Sequence, residues 1–155
     1  MFDQSGEKPE IHGSSFLKIS PQKKRVISAP GNRISCLLMG DFIEKFPEYI
    51  NELKCWTQSD NHWMRRAAAV SLIVPAKHGR YLDDVLEIAD LLLTDNDARV
   101  RKGYEWLLKE ARRNHPEEVF HYIMRNRKLM PRTALRYAIE LMPEEQKAEA
   151  IVKNW

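Results

Sequence analysis

From Ile34 onward, apolar residues recur at intervals of three and four positions, the spacing that gathers them on one side of an α-helix. The first two sets are Leu37, Leu38, Phe42 and Ile43, and then Tyr49, Ile50, Leu53 and Trp56. Every later segment of the chain passes the same test. Helices with one apolar side must bury that side against other helices, so the sequence predicts an all-α fold.

Capping residues and prolines divide this region into separate helices. Ser59 and Asp60 are candidate N-caps for a helix that ends at Pro75, because Ser and Asp accept hydrogen bonds from the free N–H groups of a helix start. Pro116 suits the first turn of a helix, where its missing N–H is not needed. The predicted helices cover residues 61–74, 81–93, 98–113 and 117–126, and two more begin at Pro131 and Pro143.

An internal repeat runs through these helices. Arginine occurs at positions 66, 101 and 136, with 35 residues from each to the next. The residues that share this register are Ala68, Gly103 and Ala138, two positions after the arginine, and Asp60 and Asp95, six positions before it. Arginines alone could match by chance in an arginine-rich chain, but the combined match favours a repeat. A period of about 35 residues with two helices predicts a HEAT-like, ARM-type α-solenoid, a stack of antiparallel helix pairs with one concave face.

The first 33 residues differ in composition from the rest. They are rich in Ser, Pro, Gly and Lys, and their apolar residues sustain no helical period. We therefore expect a poorly ordered N-terminal tail over residues 1–33 and one helical repeat domain over residues 34–155. The length of the chain suits a single domain.

The sequence carries no signal for a membrane or an oxidising compartment. No apolar stretch approaches the roughly 20 residues that span a bilayer, and the N-terminus lacks the apolar segment of a signal peptide. Cys36 and Cys55 have neither CxxC spacing nor an adjacent His pair, so we interpret them as reduced thiols in a helical core. These features predict a cytoplasmic protein without membrane contact.

Basic residues alternate with aromatic residues in three of the predicted helices. The candidate DNA-binding residues among them are Trp63, Arg65, Arg66, Lys102, Trp106, Lys109 and Arg136. At equivalent positions of a repeat they would face one side of the stack, where Arg and Lys neutralise phosphates and Trp packs on sugars or bases. The competing interpretation, slightly favoured for each residue taken alone, makes the tryptophans core residues and the arginines a solvated surface. The net charge of +3 does not decide between the two.

The residue pattern itself contains no signature of catalysis. The five histidines have no paired spacing for a ligand set, so no metal site is predicted. The sequence has no GxSxG, P-loop or dinucleotide fingerprint, and no cofactor is expected. Most of the abundant carboxylates fall on predicted polar faces, and no pair is marked for acid–base work; they are Asp83, Asp84, Glu87, Glu105, Glu110, Glu117 and Glu118. From the residues alone, the chain is a helical-repeat binding module.

Three segments carry a resemblance to a known family. Residues 56–68 (WTQSDNHWMRRAA), 102–111 (KGYEWLLKEA) and 130–138 (MPRTALRYA) closely resemble the AlkD-like DNA alkylation repair family. The resemblance runs from about Gly40 to the C-terminus. It implies a HEAT-like-repeat DNA glycosylase that holds double-stranded DNA in its concave groove. Such an enzyme removes bases made cationic by N-alkylation, such as 3-methyladenine and 7-methylguanine.

The functional residues of that family carry over in part. The resemblance places the family's backbone-contacting arginine at Arg66, and its second tryptophan, which packs on the deoxyribose of the lesion, at Trp106. Ungapped counting from Gly40 places the family's first tryptophan at Ser28 and its catalytic aspartate at Asn32. Asn32 is therefore the catalytic candidate. It can orient a water molecule, but it lacks the negative charge that opposes the developing sugar cation.

These departures from the family pattern leave two alternatives open. One is a non-catalytic DNA-binding module that keeps the groove without the Trp and the Asp. The other is a HEAT-like protein-interaction scaffold, which would show an apolar or acidic concave face. Family members also carry further N-terminal helices, so a shortened stack would expose an apolar end. Self-association through that N-terminal end is therefore a further expectation.

Overall fold

The computed structural model of the protein describes residues 33–152. Regular structure in this range is entirely helical, which confirms the all-α prediction. The helices are α1 (Arg33–Lys45), α2 (Ile50–Trp56), α3 (His62–Val70), α4 (Ile73–Lys77), α5 (Leu82–Leu92), α6 (Ala98–Ala111), α7 (Pro116–Asn126), α8 (Arg132–Ala138) and α9 (Glu144–Ile151), and a 3-10 turn over Pro47–Tyr49 leads into α2. None of these helices has both the length and the apolarity to cross a bilayer. The predicted tail, apart from Arg33, lies outside the described residues.

Helices that alternate along the chain pack side by side. α1 lies against α4, the α3–α4 segment lies against α6, and α6 lies against α8. The intervening helices complete the packing, with α2 on α3, α5 on α6, and α9 on both α7 and α8. The largest fully buried side chains include Ile43, Leu53, Leu72, Ile88, Leu92, Tyr104, Leu107, Leu108, Ile123 and Leu135. The apolar positions that predict helices in the sequence thus form the core between these helices.

Two glycines mark close contacts between neighbouring helices. A Cβ atom at Gly40 in α1 would lie 2.5 Å from Val74 Cβ in α4, closer than real side chains approach, so glycine is required there. A Cβ atom at Gly103 in α6 would lie 3.4 Å from Arg66 Cγ and 3.6 Å from Ala69 Cβ in α3. These are ordinary van der Waals distances, so a small residue at Gly103 suits the packing of α3 against α6.

The helix that the sequence predicts to end at Pro75 is interrupted four residues earlier. α3 ends at Val70, Ser71 and Leu72 form a turn, and α4 resumes at Ile73 with Pro75 inside it. Pro75 lacks an N–H, and in a continuous helix its ring would clash with the carbonyl of Ser71. In the first turn of α4 no N–H partner is needed, so the break lies upstream and the proline is accommodated.

The start of α3 is capped by Asn61, not by the predicted Ser59 or Asp60. Asn61 Oδ1 accepts a hydrogen bond from the N–H of Trp63 at 2.9 Å. The backbone of Asn61 is extended, with φ −83° and ψ 112°, which aims its side chain at the free N–H groups of the helix. Ser59 Oγ accepts instead from the N–H of Asn61 and so supports the cap from outside the helix.

The same cap recurs 36 residues later and corrects the predicted 35-residue register between the first two units. Asp97 caps α6 as Asn61 caps α3. Arg65 and Arg101 then occupy equivalent places, and each donates from Nη1 to the two carbonyls that lie six and five residues before it. The residue that corresponds to Arg101 is therefore Arg65 rather than Arg66.

An ion pair joins α3 to the loop before α6. Arg65 Nε lies 2.6 Å from Asp95 Oδ2, and Arg65 Nη2 lies 3.3 Å from Asp95 Oδ1. Only 21% of the Arg65 side chain and 9% of the Asp95 side chain are exposed, and the hydrogen bonds to Asp95 raise the pKa of Arg65. Asp95 Oδ1 also accepts from the N–H of Asp97. One carboxylate thus holds both the arginine of α3 and the cap of α6.

Cys55 lies exposed on α2, so the prediction of a core thiol is wrong at this position. The short helix turns Ile50, Leu53 and Trp56 toward the core. Cys55 follows Leu53 by two residues and precedes Trp56 by one, and neither separation places it on their side of a helix. The side chain of Cys36 lies outside the described side chains.

Arg65→Met should lower the free energy of unfolding by about 2 kcal/mol, because it removes charge-assisted hydrogen bonds from a largely buried carboxylate and keeps the apolar stem. Urea denaturation measures the difference. Arg136→Met, at an exposed side chain, is the matched control and should stay within about 0.5 kcal/mol of the wild type. Equal values for the two variants would contradict a stabilising role for the ion pair.

Candidate nucleic-acid interface

Trp63 lies in the first turn of α3 with a cation over its ring. The guanidinium carbon of Arg99 lies 5.2 Å from the centroid of the Trp63 ring, within the range of a cation–π contact. The ring of His62 packs on Trp63 with the two centroids 4.9 Å apart. Trp63 is half-buried, so part of the ring remains accessible beside these two neighbours.

Arg66 reaches from α3 to the start of α6. Its stem lies beside Gly103, and its Nη1 donates to the carbonyl oxygen of Arg99 at 2.6 Å. A guanidinium carries five N–H donors, and the Arg66 side chain is only partly buried, so further donors remain for a ligand. Arg66, Arg99 and Trp63 therefore form one cluster at the N-terminal ends of α3 and α6.

Arg65 and Lys109, two of the predicted DNA-binding residues, are engaged within the protein. Arg65 pairs with Asp95. Lys109 Nζ lies 2.5 Å from Glu140 Oε2 and 4.7 Å from the centroid of the Tyr137 ring, and the hydrogen bond to Glu140 raises the pKa of Lys109. Both cations join neighbouring helices of the same row, and their charge is largely balanced by these carboxylates.

The remaining predicted residues lie farther along the same row of helices. Lys102 on α6 and Arg136 on α8 are exposed. Neither side chain forms a hydrogen bond or ion pair with another described residue. Trp106, four residues after Lys102, is half-buried and packs against the core. One sequence interpretation places the tryptophans in the core, and the other places them on an open face. Trp63 and Trp106 are half-buried, which is intermediate between the two.

Glu105 is a buried carboxyl group on α6, between Lys102 and Trp106. Only 5% of the residue is exposed, and burial raises the pKa of its carboxyl group, while Arg101 and Lys102 oppose that rise. The carboxyl group of Glu105 forms no hydrogen bond with another described residue. Glu105 is therefore an exception to the prediction that most of the carboxylates lie on polar faces. The 36-residue register reveals the reason, because it aligns Glu105 with the fully buried Ala69.

Arg99 is the residue of the cluster that sequence reasoning missed. Arg99 does not belong to the 35-residue register, and no aromatic residue lies beside it in the sequence. The cap register identifies it, because Asp97 aligns with Asn61 and Arg99 therefore aligns with Trp63. Both residues lie in the first turn of their helices, and adjacent helices bring them together.

Asn32, the catalytic candidate, lies outside the described residues. Within the range that the structure describes, no group of three or more His, Cys, Asp and Glu residues is placed to hold a metal ion. What the described side chains offer at this row of helices is a set of guanidinium and ammonium groups beside two half-buried indole rings. Such a surface suits an anionic ligand with planar or sugar-like parts.

A known protein family matches this chain over most of its length. A family model described as DNA alkylation repair enzyme matches residues 33–142. The matched range contains α1 to α8 and every described residue of the candidate interface. No curated protein matches the chain.

Glu105→Gln should raise the free energy of unfolding at neutral pH by about 1 kcal/mol, because it removes a buried charge and keeps the side-chain shape. The folded state raises the pKa of Glu105 above its ordinary 4.5, so the folded protein binds this proton more tightly than the unfolded chain does. The free energy of unfolding of the wild type therefore falls as the pH rises above about 4.5, where this carboxyl group begins to ionise in the unfolded chain. Below that pH the group is protonated in both states, so the variant should have no advantage.

Urea denaturation at about pH 4 and about pH 7 measures this difference. Glu149→Gln on α9 removes an exposed carboxylate and is the matched control, with no expected change beyond about 0.5 kcal/mol at either pH. A gain for Glu105→Gln that is equal at both pH values would contradict the assignment to a buried charge.

Proposed function

Because the chain belongs to the DNA alkylation repair enzyme family, we propose that it is an AlkD-like DNA glycosylase that binds double-stranded DNA and removes N-alkylated, positively charged purines. The observation that carries this proposal is the extent of the family match, which includes α1 to α8 and the whole described interface. Membership in this family supports DNA as a ligand, and we assign alkylated duplex DNA to the cationic cluster of α3 and α6.

A HEAT-like stack from residue 34 onward is the architecture that we propose for DNA binding. The side-by-side packing of α1, α3–α4, α6 and α8 supports a stack. The equivalent caps Asn61 and Asp97, and the equivalent carbonyl contacts of Arg65 and Arg101, support a repeated unit. Stacked repeats present one row of helices to a long ligand, and we assign DNA to the row that carries α3, α6 and α8.

Phosphate binding is assigned to the cations of this row that form no internal ion pair. Among the DNA-binding residues predicted from the sequence, Arg66, Lys102 and Arg136 meet that condition. Trp63 and Trp106 keep part of their rings exposed, and in the proposal they pack on a deoxyribose. Arg65 and Lys109 contribute to binding indirectly, because their ion pairs set the positions of neighbouring helices.

Removal of a cationic purine requires little help at the leaving group, because the base departs as a neutral molecule. The protein must oppose the positive charge that develops on the sugar and orient a water molecule. The resemblance places Asn32 at the position of the residue with this role. Asn32 can orient a water molecule but has no negative charge to oppose the sugar cation. Glu105 is 5% exposed and has a packing role in this proposal rather than a role in the reaction.

A second candidate function is DNA binding without base release. It is favoured by the residues at the positions where the family's first tryptophan and catalytic aspartate fall, which are Ser28 and Asn32. A protein of this kind would use the same row of helices and leave the glycosidic bond intact. The two candidates share every prediction about binding and differ in the released base.

Self-association through the α1–α2 end is also part of the proposal. Leu37, Leu38 and Phe46 are 54%, 65% and 44% exposed, and the ring of Phe42 lies 5.0 Å from that of Phe46 and 5.1 Å from that of Tyr49. A shallow apolar cleft lies beside them, lined by Met39, Phe42, Ile43, Tyr49, Glu52, Leu53 and Trp56. Contiguous apolar surface of this kind marks an interaction site.

Leu38→Glu should convert a self-associating wild type into a monomer, because a charge on one of the exposed apolar side chains of this end opposes its burial. Sedimentation velocity over a range of protein concentrations measures the change. Leu129→Glu is the matched control, since Leu129 is 61% exposed in the loop after α7 and should leave association unchanged. A wild type that stays monomeric at high concentration would rule the proposal out.

Lys102→Gln should weaken binding to a duplex that contains 7-methylguanine and should flatten the salt dependence of the affinity by about 0.9, the contribution of one phosphate contact. Fluorescence anisotropy at several salt concentrations measures the slope. Lys128→Gln removes the same charge from an exposed residue between α7 and α8 and should leave the slope unchanged. Equal slopes for the two variants would remove Lys102 from the interface.

Free 7-methylguanine released from the same duplex decides between the two candidate functions. Release above the uncatalysed rate, reduced by Trp106→Ala, supports the glycosylase. Salt-sensitive binding without release supports the DNA-binding protein. Absence of salt-sensitive binding contradicts both candidates and favours a protein-interaction scaffold.

A further inference from the structure

Arg99 lies exposed in the first turn of α6 and contacts three residues of α3. Its guanidinium covers the ring of Trp63, and its Nη1 lies 2.7 Å from Nε2 of His62. Its carbonyl oxygen accepts from Arg66 Nη1. The guanidinium is thus held at the surface by an aromatic face and an imidazole.

The contact between Arg99 and His62 defines the protonation state of the imidazole. A guanidinium has N–H donors and no acceptor, so Nε2 of His62 must accept through its lone pair. The ring is then neutral, with its proton on Nδ1, which faces Asp97 Oδ2 at 4.0 Å. A second proton would occupy Nε2 and turn the hydrogen bond into a repulsion between two cations.

The charges around His62 favour the departure of Arg99 once the ring is protonated. From α6, Asp97 attracts an imidazolium and Arg99 repels it. Asp97 is fixed in place because its carboxylate caps α6 through the N–H of Arg99, a bond that does not involve the guanidinium. From α3, Arg66 adds a second positive charge to the same region, and Arg65 is already paired with a carboxylate.

We propose that Arg99 is a further contact for a DNA phosphate, held over Trp63 by neutral His62 and released when His62 binds a proton. This inference rests on the proposed function. A released guanidinium beside Arg66 offers a second planar set of donors to the phosphodiester oxygens. The same movement uncovers the ring of Trp63, which we assign to the deoxyribose. Acidification therefore makes the Arg99 guanidinium and the Trp63 ring available to DNA at the same site.

The first test is the salt dependence of duplex binding by the full chain, measured by fluorescence anisotropy at about pH 8 and about pH 5.5. Each phosphate contact steepens the plot of log affinity against log salt by about 0.9. His62→Gln keeps an acceptor for Arg99 at every pH and sets the baseline for the remaining histidines. The wild type should steepen on acidification by about two contacts more than this variant, because it gains one positive charge on the His62 ring and one released guanidinium at Arg99, each counted as one phosphate contact.

Arg99→Gln separates the two contributions, because it keeps the charge gained at His62 and should steepen by only about one contact above the baseline. His121→Gln, at an exposed histidine of α7, is the matched control and should behave as the wild type does. Equal steepening in the wild type and in Arg99→Gln overturns the phosphate contact.

A second measurement does not depend on DNA. In NMR spectra of the free protein, the Nε–H signal of Arg99 should move with the same pH midpoint as the ring signals of His62, and His62→Gln should abolish that movement. An Arg99 signal that stays fixed while His62 titrates overturns the release. If the wild type fails to bind the duplex at about pH 8 and low salt, the proposed function fails and the phosphate contact fails with it. The NMR result then still decides whether His62 controls Arg99.

Discussion

The tight packing of α3 against α6 is the interaction on which the candidate interface depends. Ala69 and Gly103 occupy little volume between the two helices, so the stem of Arg66 passes beside Gly103 and its guanidinium reaches the Arg99 carbonyl. Burial of apolar surface stabilises this packing, but the size of these residues sets the distance between the helices. Larger side chains there would separate Trp63 from Arg99 and disperse the cluster.

Charge has two different uses along this row of helices. Arg65 with Asp95 and Lys109 with Glu140 form ion pairs between neighbouring helices, and these pairs orient the helices while leaving little charge for a ligand. The cations assigned to DNA are those without a carboxylate partner. A net charge counts both kinds alike, which is why the value of +3 says little about the interface.

Family membership and local geometry constrain the function from different sides. Membership identifies DNA alkylation repair as the process in which the chain belongs. The cluster of Trp63, Arg66 and Arg99 is the place where we propose that DNA binds. The contact of Arg99 with His62 is the basis for the proposed dependence of binding on pH. In our proposals, DNA binding and its dependence on pH both rest on this small group of side chains at two adjacent helix starts.

The sequence by itself determined the all-α class, the approximate extents of α5, α6 and α7, and the basic and aromatic composition of the interface, because apolar spacing, prolines and residue type are local properties. The tertiary structure decided which side chains meet. Arg65 with Asp95 and Trp63 with Arg99 come from separate units, and their pairing depends on the register between those units. An error of one residue in that register turns a side chain by about 100° around its helix. That rotation is enough to exchange Arg65 for Arg66 in the repeat.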